Sequence, residues 1–175
     1  MSTSENTLSL SSVPNILTET ALIAIAIALP VVMHLIPGIN VFATLPMHWT
    51  IFIAGLLYGW KGGLIAGVSV PTLSFALTGM PVPFVLPLMT VELSLYGSVT
   101  GILSEKTMLN RHLIVLISSI AGRAGFIILA LLLSRTDSAA QFAINSFAPG
   151  IIAAFIIIAC TPVISKIAAK NLRIE

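Results

Sequence analysis

Formal charge is scarce in this sequence: 8 Lys and Arg and 6 Asp and Glu make up only 8% of the chain. Soluble domains carry about 25% charged residues, so a fully water-facing surface cannot be built from this composition. A net charge of +2 without a basic cluster excludes a nucleic-acid partner held by phosphate neutralisation. The single cysteine, Cys160, stands inside an apolar run, which leaves no disulfide framework and no thiolate metal site. His34, His48 and His112 lack ligand spacing, so no metal is called for. Phosphate loops, nucleophile–base sets and paired carboxylates are missing too. No residue is assigned a catalytic role, no cofactor is implied, and the chain is not expected to be an enzyme. The first twenty residues contain Glu5 and Glu19 but neither Lys nor Arg. Without the basic start of a secretory signal, the first hydrophobic segment is expected to stay.

What the chain has instead is apolar surface. It is 57% hydrophobic with a mean hydropathy of +1.09, as expected of a polytopic membrane protein whose spans take about 20 residues each. Leu45 to Met80 organises the rest. Two apolar runs flank Gly59-Trp60-Lys61-Gly62-Gly63, and Lys61 is their only formal charge, so the stretch reads as a helical hairpin in the bilayer. Span one is expected at about 17–36, span two at 48–59, span three at 62–78 and span four at 84–103. Spans five and six follow at 112–133 and 147–165. Pro37-Gly38, Pro46 and the Gly79-Met80-Pro81 stretch mark connections. Pro71 should kink span three, with Ser69, Thr72 and Ser74 near enough to satisfy freed backbone groups.

The expected fold is therefore all-α: one compact bundle of six transmembrane helices over 16–170. Residues 1–15 read as a flexible cytoplasmic tail and 171–175 as a second tail. Lys61, Lys106, Arg111, Lys166, Lys170 and Arg173 fall on one side, against Arg135 alone in the opposite loops. By the positive-inside rule both termini face the cytoplasm, N-in and C-in, across the inner (cytoplasmic) membrane.

Two charges lie deep within spans. Glu92 is about 12 Å and Arg123 about 15 Å from the outer ends of their helices at helical rise. Each would cost on the order of 2.5–3.5 kcal/mol against lipid, so both should face the protein interior or a watery cavity. They can form a ligand site that opens outward or an ion pair that only locks two helices. Met89, Glu92 and Tyr96 share one helix face, and Ser119, Arg123 and Phe126 share another. Asn40, His48, Trp49, Gln141 and Asn145 fall on the same outer side. Trp49 also suits a plain interfacial anchor. On span one, Thr20, Ala24 and Ala28 stand four apart, a small-residue stripe on which another helix could pack closely; alanine is also simply common in membrane helices.

The stretch from Pro46 to Leu103 resembles the substrate-binding S components of energy-coupling factor (ECF) transporters. The resemblance lies in Pro46-Met47-His48, the glycine-rich Gly55-to-Gly63 turn, Gly79-Met80-Pro81, and Glu92 followed by Tyr96-Gly97. Span one and residues 104–175 match in topology and length. The resemblance implies a six-helix subunit that binds a vitamin or related micronutrient from outside. It would work with an ECF T component and two ATPase subunits in the lipid bilayer, and Thr20, Ala24 and Ala28 would meet the T component. Such subunits bind substrate among the outer halves of spans four to six under the outer loops, where Glu92, Arg123 and Asn145 fall; Asn40, His48, Trp49, Met80 and Tyr96 are the further substrate-binding candidates. Among such cargoes a queuosine precursor (a deazaguanine) fits best. Glu92 can accept paired N–H bonds from an amino-pyrimidine edge while Trp49 or Phe84 stacks on the ring. Pantothenate would use Arg123 against its carboxylate, and pyridoxine and hydroxymethylpyrimidine stay open. A stand-alone secondary transporter, which usually carries internal repeats, and a membrane assembly protein without a ligand are the alternatives.

Overall fold

A computed structural model of the chain describes residues 7–34, 46–133 and 147–172. Five helical elements run through them: α1 (Val13–His34), α2 (Pro46–Thr78), α3 (Leu86–Lys106), α4 (Arg111–Leu133) and α5 (Phe147–Leu172). All five are long and apolar enough to cross a membrane, and no strand occurs among the described residues. Local sequence accounts for several ends. A proline sits in the first turn of α3, where a missing N–H does no harm. At its other end the Thr107 N–H and hydroxyl both donate to the Leu103 carbonyl, at 3.0 and 2.6 Å. Pro71 lies inside α2, and the Thr72 hydroxyl donates to the carbonyls of Val68 at 2.6 Å and Ser69 at 3.1 Å.

The element count is five, where six separate spans are expected, and the difference lies in α2. The sequence suggests a turn spread over Gly59 to Gly63, but Trp60, Lys61, Gly62 and Gly63 are all helical. The break falls on Gly59 alone, at φ 71° and ψ −163°, a conformation that side chains disfavour. A Cβ there would also strike the Glu105 carboxylate. The two arms that meet at Gly59 lie along the same stretch of α3, because a Cβ on Gly55 and one on Gly63 would both collide with the Gly97 backbone. In a straight helix those two glycines would stand about 12 Å apart. The chain therefore folds back at Gly59: Gly59 meets Gly101, Gly63 meets Gly97, and Gly67 meets Leu93 on the return.

Around this three-ply centre the core draws on all five helices, with Ala26, Phe52, Leu56, Val70, Leu93, Val115 and Ile157 buried together. α4 joins α3 where Gly122 receives the Tyr96 ring and Gly125 receives Leu95. α5 is fastened to α4 by polar contacts. Arg111 Nη1 donates to Ser165 Oγ at 3.1 Å, and His112 Nδ1 lies 2.8 Å from the Ile158 carbonyl.

One end of the bundle gathers the Gly59 corner and both described chain ends. Leu8 N–H donates to the Leu57 carbonyl at 2.6 Å; Leu8, Leu10, Ala168 and Ala169 pack on Ile53, Leu57 and Tyr58. Trp60 N–H donates to Glu105 Oε1 at 3.2 Å, so a carboxylate caps the start of the second arm, where helix N–H groups lack partners. Lys61, Lys106, Arg111, Lys166 and Lys170 all belong to this end by their neighbours; Arg135 and Arg173 lie outside the described residues. Glu19 is drawn in as well. It is 5% exposed, and a methyl on Gly62 would come within 3.2 Å of its Oε2.

The glycine contacts between α2 and α3 generate a stability prediction. Gly63→Ala and Gly97→Ala each force backbones apart and should cost about 1–3 kcal/mol, whereas Ala124→Leu on the exposed face of α4 should change stability by under about 0.5 kcal/mol. Unfolding of the three variants in one detergent measures this; glycine variants as stable as wild type would show that the helices do not touch there.

Candidate functional site

The site starts from two side chains one turn apart on α3. At spacing i, i+4 Glu92 and Tyr96 fall on one face, and both are buried. The Tyr96 hydroxyl donates to Glu92 Oε1 at 2.6 Å. α4 brings Arg123 to the same atom, with Nε 3.3 Å from Oε1. Gly122 makes this possible, since any side chain there would run into the Tyr96 ring and the Glu92 carbonyl. Charge and geometry thus answer each other: a carboxylate 4% exposed meets a guanidinium that is 20% exposed, and the pair is close to neutral as a unit. Neither charge has to be held alone in a low-dielectric interior.

Aromatic rings flank Tyr96 and Arg123. From the first arm of α2, the His48 ring lies 5.4 Å and the Phe52 ring 4.9 Å from that of Tyr96. The Arg123 guanidinium also rests 5.3 Å over the Phe126 ring, a cation–π contact on the same helix. Of the residues expected in the site, the structure therefore joins Glu92, Tyr96, Arg123 and His48. Trp49 is half-buried against the same core. Met80 lies half-exposed in the link between α2 and α3. Asn40, Gln141 and Asn145 lie outside the described residues. Thr20, Ala24 and Ala28 are exposed on α1, on the side away from Ala26, which enters the core.

Two participants escape a reading of the sequence. Phe52 stands four residues after His48, so the shared helix face was visible, but nothing distinguished it from other apolar neighbours. Glu19 looks like part of a polar leader, yet both its carboxylate oxygens are buried with no hydrogen-bond partner among the described residues. The expectation that Glu92 offers two free oxygens also changes. Oε1 already faces Tyr96 and Arg123.

A helical bundle with five membrane-length apolar helices and an ion pair in its interior is an integral membrane protein. Residues 18–165 match the family model of the ECF transporter substrate-specific component, and the chain belongs to that family. Neither a curated protein nor a solved structure matches it. Members of the family are substrate-binding transporter subunits.

Tyr96 supplies the donor that steadies the carboxylate, so Tyr96→Phe should keep the ring packing and lose one charge-assisted hydrogen bond. The expected loss is about 1.5–3 kcal/mol, read as a lower unfolding temperature of the purified protein. An unchanged temperature would mean that the hydroxyl contributes nothing to holding Glu92.

Proposed function

We propose that this subunit captures a small water-soluble vitamin or precursor from outside and delivers it to a T component energised by two ATPase subunits. The observation that carries this is the Glu92–Arg123 pair, shared by two helices, with Tyr96 bonded to Glu92, Phe126 under Arg123 and the His48 and Phe52 rings beside Tyr96, inside a family of substrate-binding subunits. Asn40, Trp49, Met80 and Asn145 complete the site in this reading. The cargo that suits it best is a queuosine precursor, a deazaguanine, ahead of pantothenate, pyridoxine or hydroxymethylpyrimidine.

In the membrane the two arms of α2 cross separately, giving six passes with both termini in the cytoplasm of an inner-membrane protein. The fold-back at Gly59 supports this, as does the gathering of Lys61, Lys106, Lys166 and Lys170 at one end, the distribution expected of a cytoplasmic face. The exposed stripe of Thr20, Ala24 and Ala28 is where the T component docks, since small side chains let helix backbones come close.

Three measurements test this. Purification from its own cells should bring down ATPase subunits, and mass spectrometry of the released small molecules should find a nitrogen heterocycle; a preparation with neither partner nor ligand would favour an assembly role. Ala24→Trp or Ala28→Trp should abolish uptake and spare ligand binding, because bulk blocks helix approach; normal uptake would remove the docking claim. In a Cys160→Ala background, a cysteine at Ser138 should be labelled on intact cells and one at Thr107 only after permeabilisation. The opposite pattern would invert the protein.

A further inference from the structure

One cation at the Gly59 corner has no counterpart within the protein. Lys106 and Lys170 occupy the last turns of α3 and α5, where free helix carbonyls attract a positive charge. Lys61 stands instead in the first turn after the break at Gly59, the end at which a helix disfavours a cation. It is exposed and enters no ion pair among the described residues. Neither described acid at this end neutralises it: Glu19 is sealed from solvent, and Glu105 turns Oε1 to the Trp60 N–H. The Lys61 ammonium lies 5.8 Å over the ring of Trp60, which is 39% exposed. Ile65 and Val68 follow Lys61 at i+4 and i+7, on the same helix face, and both are exposed. A positive charge, an indole and an apolar stripe thus stand in sequence from the corner towards the middle of the bundle.

We propose that this face of α2 binds an anionic phospholipid, with its phosphate on Lys61 beside the Trp60 ring and an acyl chain along Ile65 and Val68. Each part of the face selects this occupant. The ammonium calls for an anion at headgroup level, where an indole ring also settles. The two apolar residues one and two turns deeper call for hydrocarbon. A free phosphate would meet the lysine and leave Ile65 and Val68 uncovered. A zwitterionic lipid would cover them but carries its own cation beside the phosphate, which offsets the attraction of Lys61. An acidic protein segment would have to follow the stripe into the bilayer, where its backbone groups would need partners of their own. The inference concerns lipid rather than cargo, and it holds whichever way the bundle is oriented in the membrane.

The test uses the full-length protein in phosphatidylcholine nanodiscs into which lipids with brominated acyl chains are titrated, since bromine quenches a tryptophan it touches. The chain has two tryptophans, and the signal missing from a Trp60→Phe variant belongs to Trp60. Brominated phosphatidylglycerol should quench Trp60 at a mole fraction about fivefold lower than brominated phosphatidylcholine, the gain expected of one lysine at a lipid surface. Lys61→Arg should keep that preference and Lys61→Gln should remove it, with the unfolding temperature in pure phosphatidylcholine unchanged in both. Equal quenching by the two lipids, or a preference that survives Lys61→Gln, overturns the proposal. So does loss of the preference on adding millimolar inorganic phosphate at constant ionic strength, which would place a small anion on the lysine without a chain on the stripe. The comparison of the two lipids on the unmodified protein decides the matter even where a variant fails to fold.

Discussion

The whole bundle depends on backbone meeting backbone along α3. Gly55, Gly63 and Gly67 of α2 approach Gly97 and Leu93 so closely that a Cβ at any of them would overlap main-chain atoms. Among membrane helices lipid already satisfies apolar side chains, so association rests on close dispersion contacts rather than on escape from water. Glycine is thus the residue that makes attachment possible. Because the two arms of α2 share one stretch of α3, a single helix holds two others in register. The exposed faces of α4 and α1, by contrast, keep Ile120, Leu131, Val13 and Leu17 turned outward.

That register also sets the electrostatics. With α2 against one side of α3 and α4 against another, Glu92 and Tyr96 have no direction to face except inward. The smallness of Gly122 brings Arg123 to the same depth. A lone carboxylate there would be strongly unfavourable, and a lone guanidinium equally so. The tyrosine hydroxyl adds what the ion pair lacks, a short bond of 2.6 Å from a group that brings no charge. The outcome is a polar centre in which carboxylate, guanidinium and hydroxyl offset one another.

Much of this was legible from residue types alone. Hydropathy and the placement of Pro and Gly locate every described helix to within several residues, because a span must satisfy its own backbone in lipid and so must be long, apolar and helical. Glu92 and Arg123 stand out by the same logic, and equal depth suggests their pairing. What could not be read was geometry that depends on a third body. The fold-back at Gly59 rather than across five residues follows from Gly101 and Glu105, more than forty positions later. The burial of Glu19 depends on the bare face of Gly62. Which oxygen of Glu92 is occupied depends on a tyrosine rotamer and an arginine from another helix, and no spacing rule encodes either.

The capped corner has a consequence for the order of assembly during synthesis. Trp60 N–H is satisfied by Glu105, and Gly59 is seated on Gly101, so the reversal in α2 lacks its supports until the end of α3 has left the ribosome. Until then the two arms have no stretch of α3 to lie against, and the N-terminal segment around Leu8 lacks a finished Leu57–Tyr58 surface to cover. The reversal in α2 is therefore supported only once α2 and α3 are both present. α1, made before either, packs on a surface of α2 whose reversal is completed only by a helix made later.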